Sequence, residues 1–186
     1  HVFYLEEINR IPAETLNVLI TVMSEGSITV PRLGTVTADP DFRFVAAMNP
    51  FDAVGTARIS SAIYDRVCRL EMGYQSRGEE IGIVGRACEG ADDEGVEFAV
   101  ELVRSTRAHP DLTWGSSVRG AIDMVSLATE LSELRPDRDV RRDAAQLALS
   151  GRVRVREGCP RRAAEIIDEL IAAAESEPED PEPGKG

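Results

Sequence analysis

The first part of the chain contains three short strand candidates. Residues 2–5 (VFYL) contain no polar alternation, which predicts a strand buried on both faces. Residues 44–48 are a similar run and predict a second strand, and residues 67–74 (VCRLEMGY) are a third strand candidate. Between the first two runs, Leu16, Leu19, Ile20 and Met23 recur at the spacing of a helix that begins at Pro12 and ends before Gly26, and residues 27–37 show the two short β-type runs of a hairpin. This order predicts an α/β fold with a mainly parallel sheet.

The pattern changes to a helical one after residue 76. From residue 79 onward, apolar residues recur three or four positions apart in segments that Gly, Pro and Asp separate. We therefore predict two domains, residues 1–76 and a helical domain over residues 77–175. The last residues, 176–186, are rich in proline and acidic side chains, which predicts a disordered acidic tail.

Charge and cysteine usage exclude several classes of protein. The 186 residues carry a formal net charge of −12, which argues against a nucleic-acid-binding surface. The three cysteines are widely spaced and odd in number, which fits a reducing cytoplasm and neither a disulfide framework nor a zinc site. No stretch approaches the ~18 apolar residues of a membrane span, and no signal-peptide pattern is present. We expect a cytoplasmic protein with neither nucleic-acid nor membrane partners.

Polar side chains follow the first two predicted strands. Glu6 and Glu7 come directly after the first strand, and Asn49 ends the second. Ligands of open α/β sheets bind at the carboxyl ends of the strands, so these residues are candidates for metal and water chemistry. The alternatives are a strand that ends in solvated charge and an ordinary Asn-Pro turn.

Five segments in order resemble the MoxR family of AAA+ ATPases. They cover most of residues 2–174: FYLEEINRIPAETLNVLITVMSEGSITV as the Walker B strand and following helix, FVAAMNP as sensor 1, GTARISSAIYDRV as the arginine-finger segment, RAHPDLTWGSSVRGAIDMVSLA as the lid with sensor 2, and LALSGRVRVREGCPRRA as the last helices. The resemblance implies a partial AAA+ core, with three of the usual five strands, followed by an α-helical lid.

The resemblance assigns the three polar residues at the strand ends to nucleotide hydrolysis. Glu6 takes the position of the Mg²⁺ ligand, where the family normally has aspartate. The extra methylene moves the carboxylate by about 1.5 Å, and Mg²⁺ demands near-octahedral geometry, so activity could be reduced. Glu7 matches the catalytic glutamate that polarises the attacking water. Asn49 matches sensor 1, which reaches the γ-phosphate or that water.

Two arginines complete the set that the resemblance implies. Arg66 matches the arginine finger that reaches a neighbouring subunit's site, and Arg58 is a weaker candidate in the same segment. An ion pair with Asp65 or Glu71 is the alternative for Arg66. Arg119 matches the nucleotide-binding sensor 2 arginine, although the family usually has proline before it and this chain has valine. The alternative for Arg119 is an ordinary solvated helix arginine.

The implied activity is hydrolysis of ATP with Mg²⁺. In the family this occurs in an oligomeric ring, here expected to be a hexamer, and drives remodelling or activation of a client protein, often with a von Willebrand A domain partner. A gas-vesicle or nitric-oxide-reductase type relative stays open, as does a non-hydrolysing scaffold. The chain contains no G-x-x-x-x-G-K-[ST] phosphate loop. We therefore expect a C-terminal fragment that starts at the Walker B strand and is inactive alone.

Overall fold

The computed structural model describes residues 1–49 and 59–176. The chain divides into two compact units, one ending at Met72 and the other beginning at Gly73. Arg58 and nearly all of the predicted tail lie outside the described residues, while Ser176 is the last residue of a helix. Within the described ranges, no helix is both long and apolar enough to cross a membrane.

The first unit contains four strands and two α-helices among its described residues. In chain order they are β1 (Val2–Leu5), a 3₁₀ turn (Ile8–Arg10), α1 (Ala13–Glu25), β2 (Ser27–Val30), β3 (Gly34–Thr37), β4 (Arg43–Ala46) and α2 (Ser61–Tyr64). β1 and β4 pair in parallel, with Leu5 opposite Ala46. Phe3 and Phe44 stack across this pair, and Phe44 packs against a small buried core of Ile8, Leu16 and Ile63.

The predicted helix and hairpin of this unit are confirmed. Pro12 precedes the first turn of α1, where its missing N–H leaves no hydrogen bond unmade. Gly26 ends the helix with a φ of 62°, a left-handed conformation that glycine adopts without a Cβ clash. β2 and β3 then pair in antiparallel fashion, with Val30 opposite Gly34.

Two predictions about strands in this unit are wrong. β1 is not buried on both faces, because Val2 is 70% exposed. Residues 67–74 form no strand among the described residues, and Leu70 and Met72 there are 84% and 83% exposed. A strand needs a neighbour to pair its backbone groups, and no described strand lies alongside this segment. The mixed α/β class is confirmed, but the described parallel sheet has two strands rather than three.

The second unit is mainly helical, as predicted. Its described elements are α3 (Arg77–Ala87), α4 (Asp93–Ala108), β5 (Leu112–Trp114), α5 (Val118–Leu134), α6 (Arg141–Leu149), β6 (Arg154–Val155) and α7 (Ala163–Ser176). The short antiparallel pair of β5 and β6 was not predicted. Two or three residues are too few to show a strand period, which explains the omission.

Apolar packing and helix caps hold the second unit together. Its core includes Leu102, Leu149 and Ile167, all fully buried. α3 begins with a capping box in which the Ser76 hydroxyl accepts from the Glu79 amide, while the Glu79 carboxylate accepts from the Ser76 amide. Because this carboxylate accepts hydrogen bonds from Ser76, the pKa of Glu79 is lowered.

Candidate functional site

Glu6, Glu7 and Asn49 follow the carboxyl ends of the paired strands β1 and β4. Backbone pairing continues beyond these strands: the Ala47 amide donates to the Leu5 carbonyl at 2.9 Å, and the Ile8 amide donates to the Ala47 carbonyl at 3.1 Å. Since the two strands run in the same direction, both carboxylates and the amide come to one edge of the sheet. Parallel pairing alone produces this arrangement from positions more than 40 residues apart.

The Glu6 carboxylate is exposed at this edge. The Tyr4 hydroxyl donates to its Oε1 at a long 3.5 Å, so the carboxylate keeps acceptor sites open to other ligands. No cluster of three or more His, Cys, Asp or Glu side chains suited to a metal is present among the described residues. Mg²⁺ in nucleotide sites usually takes one or two carboxylates together with phosphate oxygens and water, and an exposed single glutamate fits that donor set.

Glu7 has an unusual backbone for a non-glycine residue. Its φ of 51° and ψ of 47° place it in the left-handed region immediately before the 3₁₀ turn. Such a conformation costs an L-residue roughly 1–2 kcal/mol and is often found where a side chain must point in a set direction. Its Oε2 lies 2.9 Å from Arg10 Nε, in a pair about half exposed on each side. An exposed pair of this kind contributes only about 0–1 kcal/mol, so Glu7 can exchange Arg10 for another partner.

Asn9 is a residue of this edge that the sequence did not single out. It is 8% exposed, and its Nδ2 donates to the Asn49 backbone carbonyl at 3.2 Å. Its Oδ1 is buried and has no hydrogen-bond partner among the described residues. Asn9 therefore links the segment after β1 to the segment after β4. The available signal was only its position, two residues after the glutamate pair and next to the apolar Ile8.

Asn49 is exposed at the end of the segment after β4. Its backbone carbonyl is the group that Asn9 holds, so the backbone at position 49 has a defined place relative to the 3₁₀ turn. An exposed amide on a held backbone can present either its carbonyl oxygen or its NH₂ group to a ligand at this edge.

The guanidinium of Arg66 contacts neutral groups of its own unit. Its Nε donates to Ser24 Oγ at 2.6 Å, and its Nη1 donates to the Ala62 carbonyl at 2.8 Å. Among the described residues it pairs with neither Asp65 nor Glu71, so the predicted alternative of an ion pair there is not what the structure shows. Arg66 is exposed and lies two residues after the end of α2, with its positive charge not neutralised by either acid.

Arg119 belongs to the second unit and is the second residue of α5. It is exposed, and among the described residues its guanidinium makes no hydrogen bond or ion pair. Ser117 is the N-cap of this helix, but its side chain makes no capping hydrogen bond. The amides of the first turn are thus not satisfied by the Ser117 hydroxyl, and such a helix start favours negative charge.

Comparisons with known proteins found a family model that matches the first unit and similar proteins that match a larger share of the chain. Residues 1–67 match the family model of the AAA domain (dynein-related subfamily). The uncharacterized protein YeaC of Bacillus subtilis is 33% identical over 150 residues, which cover 66% of this chain and 47% of YeaC. The gas vesicle ATPase GvpN of Haloferax mediterranei is 28% identical over 151 residues, which cover 79% of this chain and 42% of GvpN. The chain thus spans about half the length of these relatives.

One solved structure, from Cytophaga hutchinsonii, matches 92% of this chain, and the match covers 64% of the chain in that structure. The two are 19% identical, and the TM-score of 0.42 is too low to bear on the fold. The match to the family model is therefore the finding that bears on the relationship of the first unit. The expected resemblance to AAA+ proteins is confirmed for the first unit, because residues 1–67 match the AAA domain of the dynein-related subfamily. This range includes Glu6, Glu7, Asn49 and Arg66.

Proposed function

We propose that this chain is part of a MoxR-like AAA+ ATPase that couples ATP binding and hydrolysis to remodelling or activation of a client protein. The observation that carries the proposal is the meeting of Glu6, Glu7 and Asn49 at one edge of a parallel strand pair. Carboxylates and an amide at that edge suit phosphate chemistry, which needs a metal ligand, a base and a donor to oxygen.

Each residue at the edge has a distinct role in this proposal. Glu6 is the carboxylate that holds Mg²⁺, and Mg²⁺ when bound neutralises negative charge on the phosphate oxygens. Glu7 accepts a proton from the attacking water, a role that its weak surface pair with Arg10 leaves open. Asn49 donates to the γ-phosphate or orients the water. Asn9 holds the backbone at Asn49 in place.

Arg66 and Arg119 supply positive charge in this proposal. Arg66 acts as an arginine finger in the site of a neighbouring subunit, because its guanidinium is exposed and contacts only the neutral Ser24 hydroxyl and Ala62 carbonyl among the described groups. Arg119 contacts the bound nucleotide as sensor 2. A finger that works across subunits requires an oligomer, and we propose a ring, with six subunits as the expected number.

The client and partner belong to the same proposal. The MoxR resemblance suggests a client protein that awaits activation and a partner with a von Willebrand A domain. The match to the gas vesicle ATPase GvpN keeps a gas-vesicle role as an alternative client pathway. The residues proposed for hydrolysis are the same for a MoxR-type client and for a gas-vesicle role, since both belong to the ATPase class.

A second candidate function is a non-hydrolysing nucleotide sensor or scaffold. It is favoured by Glu6, which stands where the family has aspartate and places its carboxylate about 1.5 Å further from the backbone. Mg²⁺ tolerates little departure from octahedral geometry, so this change could remove catalysis while ATP binding remains.

Steady-state phosphate release by the full-length protein, with and without Glu6→Asp, distinguishes the two functions. Comparable rates at saturating ATP and Mg²⁺ support an ATPase that uses Glu6 as its metal ligand. A silent native protein that Glu6→Asp activates supports the sensor or scaffold. Glu14→Asp is the matched control, because Glu14 is an exposed glutamate on α1 outside the proposed site. If all three proteins are silent while ATP is bound, hydrolysis by this chain is ruled out.

A further inference from the structure

A buried ion cluster lies in the second unit, where the sequence pattern indicated only helix packing. Glu80 of α3 is 1% exposed. Its Oε2 lies 3.1 Å from Arg104 Nη1, and its Oε1 lies 2.7 Å from Arg107 Nη2. A buried carboxylate without partners is strongly destabilising, so the two arginines of α4 make this position of Glu80 tolerable.

Arg107 extends this cluster to the start of α5. Its Nε donates to the Ser116 carbonyl at 2.7 Å, so one guanidinium joins the Glu80 carboxylate to the residue just before the N-cap Ser117. The ring of Tyr74 covers the same guanidinium, with the Arg107 Cζ 3.9 Å from the ring centroid. A planar guanidinium can serve two acceptors and a ring at once, which a lysine ammonium cannot do.

The backbone around Ser116 is held closely against the end of α4. The Ser116 amide donates to Thr106 Oγ1 at 2.9 Å, and both residues are almost completely buried. Gly115 approaches so closely that a Cβ there would lie 2.5 Å from the Arg107 amide nitrogen. Any side chain at position 115 would therefore push the start of α5 away from α4.

Arg119 lies on the first turn of α5, three residues after Ser116. The side chains of the ion cluster make no hydrogen bond or ion pair with Arg119 among the described residues. Any effect of the cluster on Arg119 therefore passes through the backbone. We propose that Arg107 is a positioning residue for Arg119: by holding the Ser116 carbonyl to buried Glu80, it fixes the start of α5 and the direction in which Arg119 projects. This inference rests on the proposed function, because it takes Arg119 to be the nucleotide-contacting arginine.

The test is the affinity of the full-length protein for MgATP, with the fluorescent analogue mant-ATP as the probe. Arg119→Ala measures the contribution of Arg119 itself. Arg107→Lys keeps the positive charge beside Glu80 but cannot also hold the Ser116 carbonyl, and we expect it to weaken binding about tenfold, the effect of losing one well-placed charged contact. The decisive variant combines Arg107→Lys with Arg119→Ala, which should bind no more weakly than Arg119→Ala alone.

The matched control is Arg77→Lys. Arg77 also joins α3 to α4, through Glu97 and Glu101, but its ion pairs are about half exposed and do not reach α5. We expect its affinity for the probe to equal that of the native protein. An equal loss from Arg77→Lys and Arg107→Lys would overturn the inference, because the effect would then come from general weakening of the α3–α4 packing.

The remaining outcomes separate the inference from the proposed function. If Arg119→Ala weakens binding and Arg107→Lys does not, the positioning role is overturned while the proposed function stands. Additive losses in the double variant overturn it as well, because Arg107 would then act without Arg119. If Arg119→Ala leaves affinity unchanged, the nucleotide role of Arg119 is wrong, and the inference falls with that part of the proposed function.

Tyr74→Leu keeps the test decisive if Arg107→Lys does not fold. Tyr74 is largely exposed, so its loss removes the cover over Arg107 without opening the core. We expect a smaller loss of affinity that again disappears in the Arg119→Ala background. Hydrogen exchange gives a second readout: the Ser116 amide should exchange faster in Tyr74→Leu and at the native rate in Arg77→Lys. Unchanged affinity and unchanged exchange in Tyr74→Leu would overturn the inference.

Discussion

The two units hold their polar groups in opposite ways. In the first unit, Glu6 and Glu7 lie exposed at a strand edge, and Asn9 links their segment to Asn49 through one hydrogen bond. In the second, Glu80 is buried beneath two arginines beside an extensive apolar core. Under the proposed function, the exposed groups of the first unit act in hydrolysis, while the apolar core of the second unit mainly provides stability. Changes at the sheet edge should therefore affect turnover more than stability, and changes in the core of the second unit the reverse.

The largest expected effect is on turnover, from Arg66→Ala. Loss of an arginine finger typically slows phosphoryl transfer about 10³–10⁵-fold, because the charge that develops in the transition state is left unneutralised. The thermal midpoint should change little, since Arg66 is exposed. Phosphate release measures the rate, and mixing Arg66→Ala with Glu7→Gln subunits should restore activity at sites that combine intact halves. Absence of recovery in rings shown to be mixed would contradict action across subunits.

Glu7→Gln should slow hydrolysis about 10²–10⁴-fold, the usual contribution of a general base. Bound ATP should be retained, because glutamine preserves shape and removes only the ability to accept a proton. Its stability should stay close to that of the native protein, since Glu7 forms an exposed ion pair with Arg10 and no other ion pair within the described ranges. Single-turnover hydrolysis and chemical denaturation test both halves of this prediction. A large loss of stability would break the contrast between the units.

Leu149→Ala in α6 should destabilise the second unit by about 2–5 kcal/mol, the range for a buried leucine that leaves a cavity. Leu149 is fully buried in the core, whereas Leu147 on the same helix is 64% exposed. Leu147→Ala is thus the control, and we expect its midpoint in urea to stay near the native value. Similar losses for the two variants would mean that α6 is packed differently from the arrangement described here.

Asn9→Ala should reduce turnover about tenfold, because small displacements of a catalytic group have effects of this order or larger. The mutation removes the hydrogen bond to the Asn49 carbonyl, so the segment after β4 is no longer held to the segment after β1. The stability change should be smaller, since the mutation also removes the buried Oδ1, which has no hydrogen-bond partner in the part of the chain that the structure describes. Asn17→Ala is the control, because Asn17 is an exposed residue of α1, and equal turnover in the two variants would remove Asn9 from the site.

The smallest expected effect is a pH dependence in the second unit. Arg142, followed by Gln146, holds the pKa of Asp168 below its ordinary value of 3.8. The folded state therefore binds this proton less readily than the unfolded state, and Asp168 adds stability above pH 3.8 that is lost as pH falls through the folded pKa. Because the pair is exposed, Asp168→Asn should cost less than about 1 kcal/mol at neutral pH. Urea titrations at several pH values should show this difference vanish in acid.

Much of the fold and part of the site follow from local sequence patterns. The uninterrupted run of Val2–Leu5 indicated β1, and helical spacing indicated the bundle of the second unit. The positions of Glu6 and Asn49 directly after apolar runs were enough to expect them at one sheet edge. Residues 67–74 have equally strand-like composition yet form no strand, since pairing depends on a neighbour that local composition cannot reveal.

The sequence by itself determined which segments form helices, which apolar runs form β1 and β4 and which acids follow β1, because these depend on residues close together in the chain. Only the tertiary structure decided that Asn9 holds Asn49 and that Arg107 joins Glu80 to Ser116. These contacts span 9 to 40 residues, and a polar side chain shows its partner only once packing has removed it from water. Positioning contacts of this kind are therefore read from the fold, while candidate reactive residues are read from the sequence.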